Sequence, residues 1–317
     1  SVGTYIHSPG GNYFDGYISH FAVVDGQQLA PTVFGETDST SGIWKFKSPS
    51  GVTWGTNGFH LKFENSGALG TDSSGNTNTF AVNGDLKQAI DSPSNVYATW
   101  NSLLYRLNGG TSYKPTFSNG NTTQTGISTN LSSIAGSTLG VTQGKWYAEF
   151  KYVLPNSNTN NRVGIFDLDN WDQSGWIFAS GGSGYGYRME DGNKEYNGTT
   201  PSYGNSCANG DIIGVAFDAT NGAIWFSKNG TWQNNATISE IAAGTTTNAA
   251  FTSISSGTYV FASTTLTDVS FQANFGNGYF GTTAISSAGS NGNGSLFEYD
   301  VPSGYYALNT KNINTYG

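Results

Sequence analysis

One cysteine, Cys207, stands in 317 residues. It excludes an intrachain disulfide and any metal site built on thiolates. Histidine is nearly as scarce: His7, His20 and His60 are the only three, all in the N-terminal third. A serine or cysteine nucleophile needs a base and an orienting partner within reach. No nucleophile elbow or cysteine-protease signature accompanies these histidines, which read as surface or turn residues. Charge is thin, at 11% of residues, and acidic in balance, with 21 Asp and Glu against 13 Lys and Arg. With no basic patch, nucleic acid is not an expected partner. The net charge of −8 reads as a solubility feature. No apolar run approaches the ~20 residues that cross a bilayer, so no membrane insertion is expected. The chain opens Ser-Val-Gly-Thr, without an initiator Met or a signal peptide, as a processed or excised piece of a longer polypeptide would.

What is present is glycine (44 residues), aromatics (14%) and abundant Asn, Ser and Thr. Low charge with many aromatics argues against disorder. Short aromatic-rich runs punctuated by Gly and Asn turns predict an all-β protein. No amphipathic helix longer than two turns is evident, and no repeat has a solenoid or propeller period. The length suits one large or two ordinary domains. Residues 281–295 are small and polar and read as an exposed loop or linker. Leu296-Phe297-Glu298-Tyr299 reads as a short returning strand.

The clearest element is the stretch from Gly210 to Trp232. Ile212, Ile213, Val215 and Phe217 lead in, and Ala223, Ile224, Trp225 and Phe226 lead out. Asp218 to Gly222 forms the turn, with Asn221-Gly222 expected to supply positive backbone angles. Asn229-Gly230 makes a second turn before Trp232. Both strands are apolar almost throughout, as strands inside a sandwich are.

This hairpin resembles the signature of the SPRY domain, through Asp211, Gly214, Asp218, Gly222, Phe226, Asn229 and Gly230. Upstream, Gly144-Lys145-Trp146-Tyr147-Ala148-Glu149-Phe150 and Val163-Gly164-Ile165-Phe166 resemble two earlier strands of such domains. Downstream, Ala273-Asn274-Phe275-Gly276 resembles their close. Near the start, Phe14-Asp15-Gly16-Tyr17-Ile18, an alternating strand through Tyr17 to Val23, and Asp25-Gly26 resemble the end of a laminin-G-like domain. Phe34-Gly35-Glu36-Thr37-Asp38, Gly55-Thr56-Asn57-Gly58-Phe59, Leu69 to Asn76, Asp91-Ser92-Pro93 and the C-terminal Val301 to Thr310 resemble segments of large structural proteins of marine tailed bacteriophages. The expected fold is all-β: an antiparallel β-sandwich (SPRY or concanavalin-like jelly roll) with additional N-terminal strands and a connector. Residues 1–32 would be the last strands of a laminin-G-like domain and 33–99 the connector. Residues 100–282 would be the SPRY-like sandwich and 283–317 a loop and C-terminal extension.

Asp167, Asp169 and Asp172 cluster with Trp171 and Trp176 in FDLDNWDQSGW. One reading is a sugar cleft, with aromatic faces stacking on pyranose rings and acids accepting hydroxyl hydrogen bonds. The other is a loop whose Asp and Asn cap turns. Paired acids alternating on one strand, as a jelly-roll glycosidase displays them, are missing. Gly181-Gly182-Ser183-Gly184-Tyr185-Gly186 lacks the Lys-Ser/Thr and the helix of a phosphate loop. Asp72-Ser73-Ser74-Gly75-Asn76 has oxygen-bearing side chains suited to calcium but not the bidentate acid that closes an EF-hand loop. No cofactor is expected, with calcium a minor alternative.

SPRY domains bind ligands through loops at one end of the sandwich. By resemblance the candidate loops are 167–176, 185–203 and 229–232. Their ligand-binding candidates are Asp169, Trp171, Trp176, Tyr185, Tyr187, Tyr196, Tyr203 and Trp232, while Trp225 and Tyr147 are expected in the core. Rigid rings among Asn, Ser and Gly give contact area at low entropic cost. Trp171 and Trp176 are expected to be partly exposed. The resemblance implies a non-enzymatic virion protein, a tail fibre or appendage that binds a host-surface glycan or protein. Its partners would be further copies of itself, as a trimer, and other virion proteins. The alternatives are a capsid or tail decoration and a polysaccharide-degrading enzyme.

Overall fold

The computed structural model describes residues 18–317 apart from 40–41, 43, 85, 87, 89, 93–94, 128–132, 156–159 and 172. His7, Asp172 and the Phe14–Tyr17 part of the laminin-G-like resemblance lie outside the described residues. The chain divides into two compact units, Ser1–Val96 and Tyr97–Gly317.

In the first unit β1 (Phe21–Val23), β2 (Gly35–Thr37), β3 (Trp44–Phe46) and β4 (Phe59–Leu61) make two antiparallel pairs, β1 with β4 and β2 with β3. Gly26 carries the turn after β1 at φ +83°. The Asp72–Asn78 loop is held by its own hydrogen bonds. Asp72 Oδ1 accepts from the amides of His60 and Ser74, and Oδ2 from Ser74 Oγ and the amide of Asn78. Asn76 and Asn78 donate to the Gly58 carbonyl. These side chains serve a turn, and the Asp72 oxygens are already engaged. His60 departs from the expected surface setting. It is 3% exposed, because its ring packs on Trp54 and sits on the paired strand β4.

The second unit opens with the hairpin β5 (Leu107–Asn108) and β6 (Thr111–Ser112), then β7 (Thr116–Ser118), β8 (Thr123–Thr125) and β9 (Ser133–Gly136). The long strands follow: β10 (Lys145–Val153), β11 (Arg162–Asp167), β12 (Gly184–Arg188) and β13 (Lys194–Tyr196). Next come β14 (Ile212–Asp218), β15 (Ala223–Lys228), β16 (Thr231–Trp232) and helix α1 (Ile238–Ala243). The chain closes with β17 (Tyr259–Thr265), β18 (Ser270–Asn274), β19 (Tyr279–Phe280), β20 (Thr283–Ala284), β21 (Tyr306–Ala307) and helix α2 (Thr310–Tyr316). One sheet runs β16-β15-β14-β10-β18-β8-β7 and the other β13-β12-β11-β17-β9. All these pairs are antiparallel, as the expected sandwich requires. Strand β21 joins the first sheet in parallel beside Trp146 and Tyr147 of β10. No helix is long and apolar enough to cross a membrane among the described residues.

Period-two alternation builds the core. Trp146, Ala148, Phe150 and Tyr152 of β10 face Val163 and Ile165 of β11, Phe261 of β17, and Ile213, Val215 and Phe217 of β14 in one buried cluster. The outer faces are covered too, which is why β14 is buried at every position. Behind the smaller sheet Phe166, Val260 and Ala262 pack under Leu104, Ile177 and Phe178, with Trp171 against them. Behind the larger sheet the C-terminal segment lays down Phe297, Val301 and Tyr305, each at most 1% exposed. Phe297 meets Tyr147 edge-on, with centroids 4.9 Å apart. The expected returning strand at Leu296 is reduced to one bridge with Asn277.

The β14–β15 turn differs in detail from its expected form. Gly222 has φ +63°, but Asn221 is not left-handed. Instead its amide and side chain donate to Asp218 Oδ1 and Oδ2, both at 2.9 Å. The Asx hydrogen bonds do the work that a second left-handed residue would have done. At the next turn Asn229 and Gly230 both have positive φ, 48° and 78°.

Candidate functional site

Sheet geometry decides where the aromatic candidates go. The segment 185–203 is not a loop: β12 and β13 form a hairpin that pairs Tyr185 with Tyr196. Residues two apart on a strand share a face, so Tyr185 and Tyr187 point the same way. Tyr187 is 0% exposed in the core, against Phe226. Tyr185 lies nearer the strand end and is half-buried. Tyr203 and Trp232 are buried as well, Tyr203 near Tyr187 and Phe226, and Trp232 near Tyr147. Tyr187, Tyr203 and Trp232 are therefore buried and pack against other rings, contrary to their expected place on exposed loops.

Trp171 and Trp176 are half-buried, and each has an internal partner. Trp171 meets Phe166 edge-on at 5.2 Å and donates its indole N–H to the Gly175 carbonyl. Trp176 lies under the Arg106 guanidinium, 4.1 Å from ring centroid to Cζ, with Tyr113 on the same cation at 5.6 Å. The 168–178 segment is thus a cover for the smaller sheet. Asp169 is exposed, but its Oδ2 accepts from the Thr258 amide and ties this cover to the start of β17.

Tyr185 and Tyr196 remain, and they line a cleft of about 300 Å³. It opens where β11 ends, β12 begins, β13 ends and β17 begins. The other lining groups are Asp167, Asn170, Gly181, Gly182, Ser183, Asn197, Ser255 and Tyr259. The two tyrosine rings stack with centroids 4.4 Å apart and planes 4° from parallel. Tyr185 also meets Phe251 edge-on. Such a cross-strand pair is held by both backbone register and ring contact. Burial raises the Tyr185 hydroxyl well above the usual tyrosine range, and its hydrogen bond to Tyr196 acts in the same direction. Tyr259 is raised by burial and donates its hydroxyl to the Ser255 carbonyl at 2.9 Å.

Asp167 forms the floor and is 2% exposed. Its Oδ1 accepts from the Asp169 amide at 3.0 Å and its Oδ2 from Asn170 Nδ2 at 2.6 Å. A Cβ at Gly257 would stand 2.8 Å from both oxygens, so glycine there lets the backbone approach the carboxylate. Asn197 Oδ1 accepts from the Gly181 amide at 2.7 Å. Asn170, Gly181, Gly182, Asn197 and Ser255 have no aromatic or charged signature, so sequence reasoning missed them. The one sequence signal among them is the Asn197-Gly198 turn, both residues having positive φ.

The arrangement offers ring surface, amide groups, hydroxyls and the Asp167 carboxylate. The unit Tyr97–Gly317 contains no histidine. Cys207 is pushed up to about 12 by burial, which keeps it a thiol. No group of three or more His, Cys, Asp or Glu is placed to hold a metal among the described residues. Glu149 is raised to about 7 by burial, but it is sealed beneath the C-terminal segment at 0% exposure. Its perturbed acidity is therefore a packing effect rather than that of a catalytic acid.

Residues 145–278 match the SPRY domain family. No curated protein matches the chain. Among solved structures, the SPRY domain of human HERC1 is similar at 21% identity, over 48% of this chain and 86% of that one, with a TM-score of 0.37. From the first residue of β10 to the glycine before β19, residues 145–278 are a SPRY domain.

Proposed function

We propose that the chain is a non-enzymatic recognition protein of a virion. It would belong to a tail fibre or similar appendage and bind a host-surface glycan or protein through the cleft at Tyr185 and Tyr196. The observation that carries this reading is the cleft itself. It combines a stacked tyrosine pair with Asn170, Asn197, Ser183 and Ser255 in a volume suited to one or two sugar rings. Aromatic surface with amide and hydroxyl groups is what polyhydroxyl ligands need, and a few polar groups in a concave site fix orientation.

The virion setting rests on the resemblance of the flanking segments to phage structural proteins, with residues 1–32 as the end of a laminin-G-like domain. Further copies of the chain, as a trimer, and other virion proteins would be the structural partners. A second reading, a capsid or tail decoration, is favoured by the burial of Tyr187, Tyr203 and Trp232 and by the covers on both sheets. These make a rigid body whether or not a ligand exists.

The test is binding of the full chain to host cells and to a glycan array, beside Tyr196→Ala and Asn197→Ala variants with an intact fold. Loss of binding in the variants supports the cleft. Equal binding by variant and parent would move recognition elsewhere, and no binding by the parent would favour decoration.

A further inference from the structure

In the unit Ser1–Val96, outside the SPRY domain, two histidines converge. His20 Nδ1 lies 3.3 Å from His60 Nε2. His60 is on β4, in register with Ala22 of β1, and His20 immediately precedes β1 at φ +53°. Both rings are fixed by stacking, His20 on Phe46 with centroids 3.8 Å apart and His60 on Trp54 at 5.4 Å. The His60 backbone is fixed as well. Its amide donates to Asp72 Oδ1 at 2.9 Å, and Asp72 is locked by Ser74 and Asn78. His60 is buried and His20 half-buried.

Two neutral imidazoles at this distance can share one hydrogen. The same distance has a second meaning. Metal–nitrogen bonds of about 2.0–2.1 Å at tetrahedral angles place neighbouring ligand nitrogens about 3.3–3.4 Å apart. The geometry points to a divalent cation of the late first row (Zn²⁺, Ni²⁺ or Cu²⁺) bound between His20 Nδ1 and His60 Nε2. The cation takes the place of the shared hydrogen. Each ring then carries its own hydrogen on the far nitrogen, Nε2 of His20 and Nδ1 of His60, so two neutral rings bind without net proton release.

Several features favour this occupant. The two nitrogens already face each other at 3.3 Å on rings held by Phe46 and Trp54, so a shift of tautomer in one ring presents both lone pairs to a cation. The carboxylates of Asp72 and Glu64 act on His60 in the opposite sense to Lys62 and offset part of its repulsion for a cation. Pre-oriented rings lose little freedom on binding. No third His, Cys, Asp or Glu joins the pair among the described residues. Affinity should follow the order Ni²⁺ below Cu²⁺, with Cu²⁺ above Zn²⁺.

The experiment is calorimetric titration of the tag-free full chain with ZnCl₂, NiCl₂ and CuCl₂ at pH 7.5, beside His20→Gln. His20 is the partly open member, and circular dichroism checks that the variant is folded. One equivalent bound by the parent, with at least a tenfold weaker affinity in His20→Gln, is the expected result. A pulsed electron paramagnetic resonance spectrum of the Cu²⁺ form should show two imidazole nitrogens. No saturable uptake by the parent would overturn the proposal and leave an ordinary histidine hydrogen bond. Uptake unchanged in His20→Gln would also overturn it. Because the titration concerns metal alone, its outcome is independent of ligand binding at the tyrosine cleft.

Discussion

Glu149 sits in the middle of β10 with no exposure, in the largest sheet of the protein. Its carboxylate accepts four hydrogen bonds: from Tyr147 Oη at 3.1 Å, Asn274 Nδ2 at 3.3 Å, and the amides of Glu298 at 2.8 Å and Tyr299 at 2.9 Å. The last two donors belong to the C-terminal segment, so this group clasps that segment to the sheet. Burial raises its pKa from 4.5 to about 7, and the hydrogen bonds oppose the rise without cancelling it. The folded state therefore holds the proton more tightly than the unfolded state. Stability from this group is fully present below pH 4.5 and is lost as pH rises to 7. At about 1.4 kcal/mol per pH unit, that window amounts to about 3 kcal/mol. In Glu149→Gln the single side-chain carbonyl can accept from only one of the two amides, which donate to different carboxylate oxygens; that cost does not depend on pH, and nothing titrates. Urea unfolding of parent and variant at pH 5 and pH 8 isolates the effect, because other groups cancel in the difference. Because pH 5 lies just inside that window, the parent should lose about 2.5 kcal/mol relative to the variant between the two pH values. An equal parent–variant difference at both would refute the reasoning, and a parent that gains on the variant as pH rises would reverse its sign.

Two further predictions concern buried polar groups. Arg106 is 4% exposed and stacked between Trp176 and Tyr113. Its Nε donates to the Ser174 carbonyl, while Nη1 has no hydrogen-bond partner. Arg106→Lys should cost about 1–2 kcal/mol, because an ammonium loses the flat stacking face. Arg106→Met should cost less, since it also removes the unmatched donor; in urea midpoints, Met falling below Lys would contradict this. Cys207, held up at about 12, should react slowly with a disulfide reagent at pH 8 in the native chain and quickly once unfolded in guanidinium. Cys207 is half-buried, so fast native labelling would mean that its partial cover does not hold the thiol protonated.

The sandwich was legible because its strands carry their own punctuation. Ile212 to Phe217, the Asp218 turn and Ala223 to Phe226 appear where an apolar run, an Asx turn and a glycine place them. What could not be read was the third surface. Alternation tells a buried face from a wet one only when the second face is wet. Here both outer faces are covered, so Tyr147 and Trp225, turned away from the central core, are as buried as Phe150 and Phe226. Glu149 stands between Ala148 and Phe150, and the amides of Glu298 and Tyr299, some 150 residues on, meet its carboxylate in the interior. His60 was misread for the same reason, because its cover comes from Trp54 and its pairing from β1.

The candidate site suffered from the same ambiguity, and this narrows what the cleft can recognise. An aromatic residue near a strand end has the same sequence signature whether it closes a sheet or greets a ligand. Tyr187, Tyr203 and Trp232 close the core, and Trp171 and Trp176 are engaged with Phe166 and Arg106. The ring surface left for a ligand is therefore that of Tyr196, with Tyr185 stacked behind it. Around it stand groups that can rotate or donate, Asn170, Asn197 and Ser255, while Asp167 is already engaged by two donors. A site built this way favours a neutral, hydroxyl-rich ligand over a cationic one, because its only carboxylate is spent on holding the loop. Discrimination between such ligands would fall to Asn170 and Asn197, and because the same two side chains hold Asp167 and the Gly181 amide, exchanging them should change specificity and loop stability together.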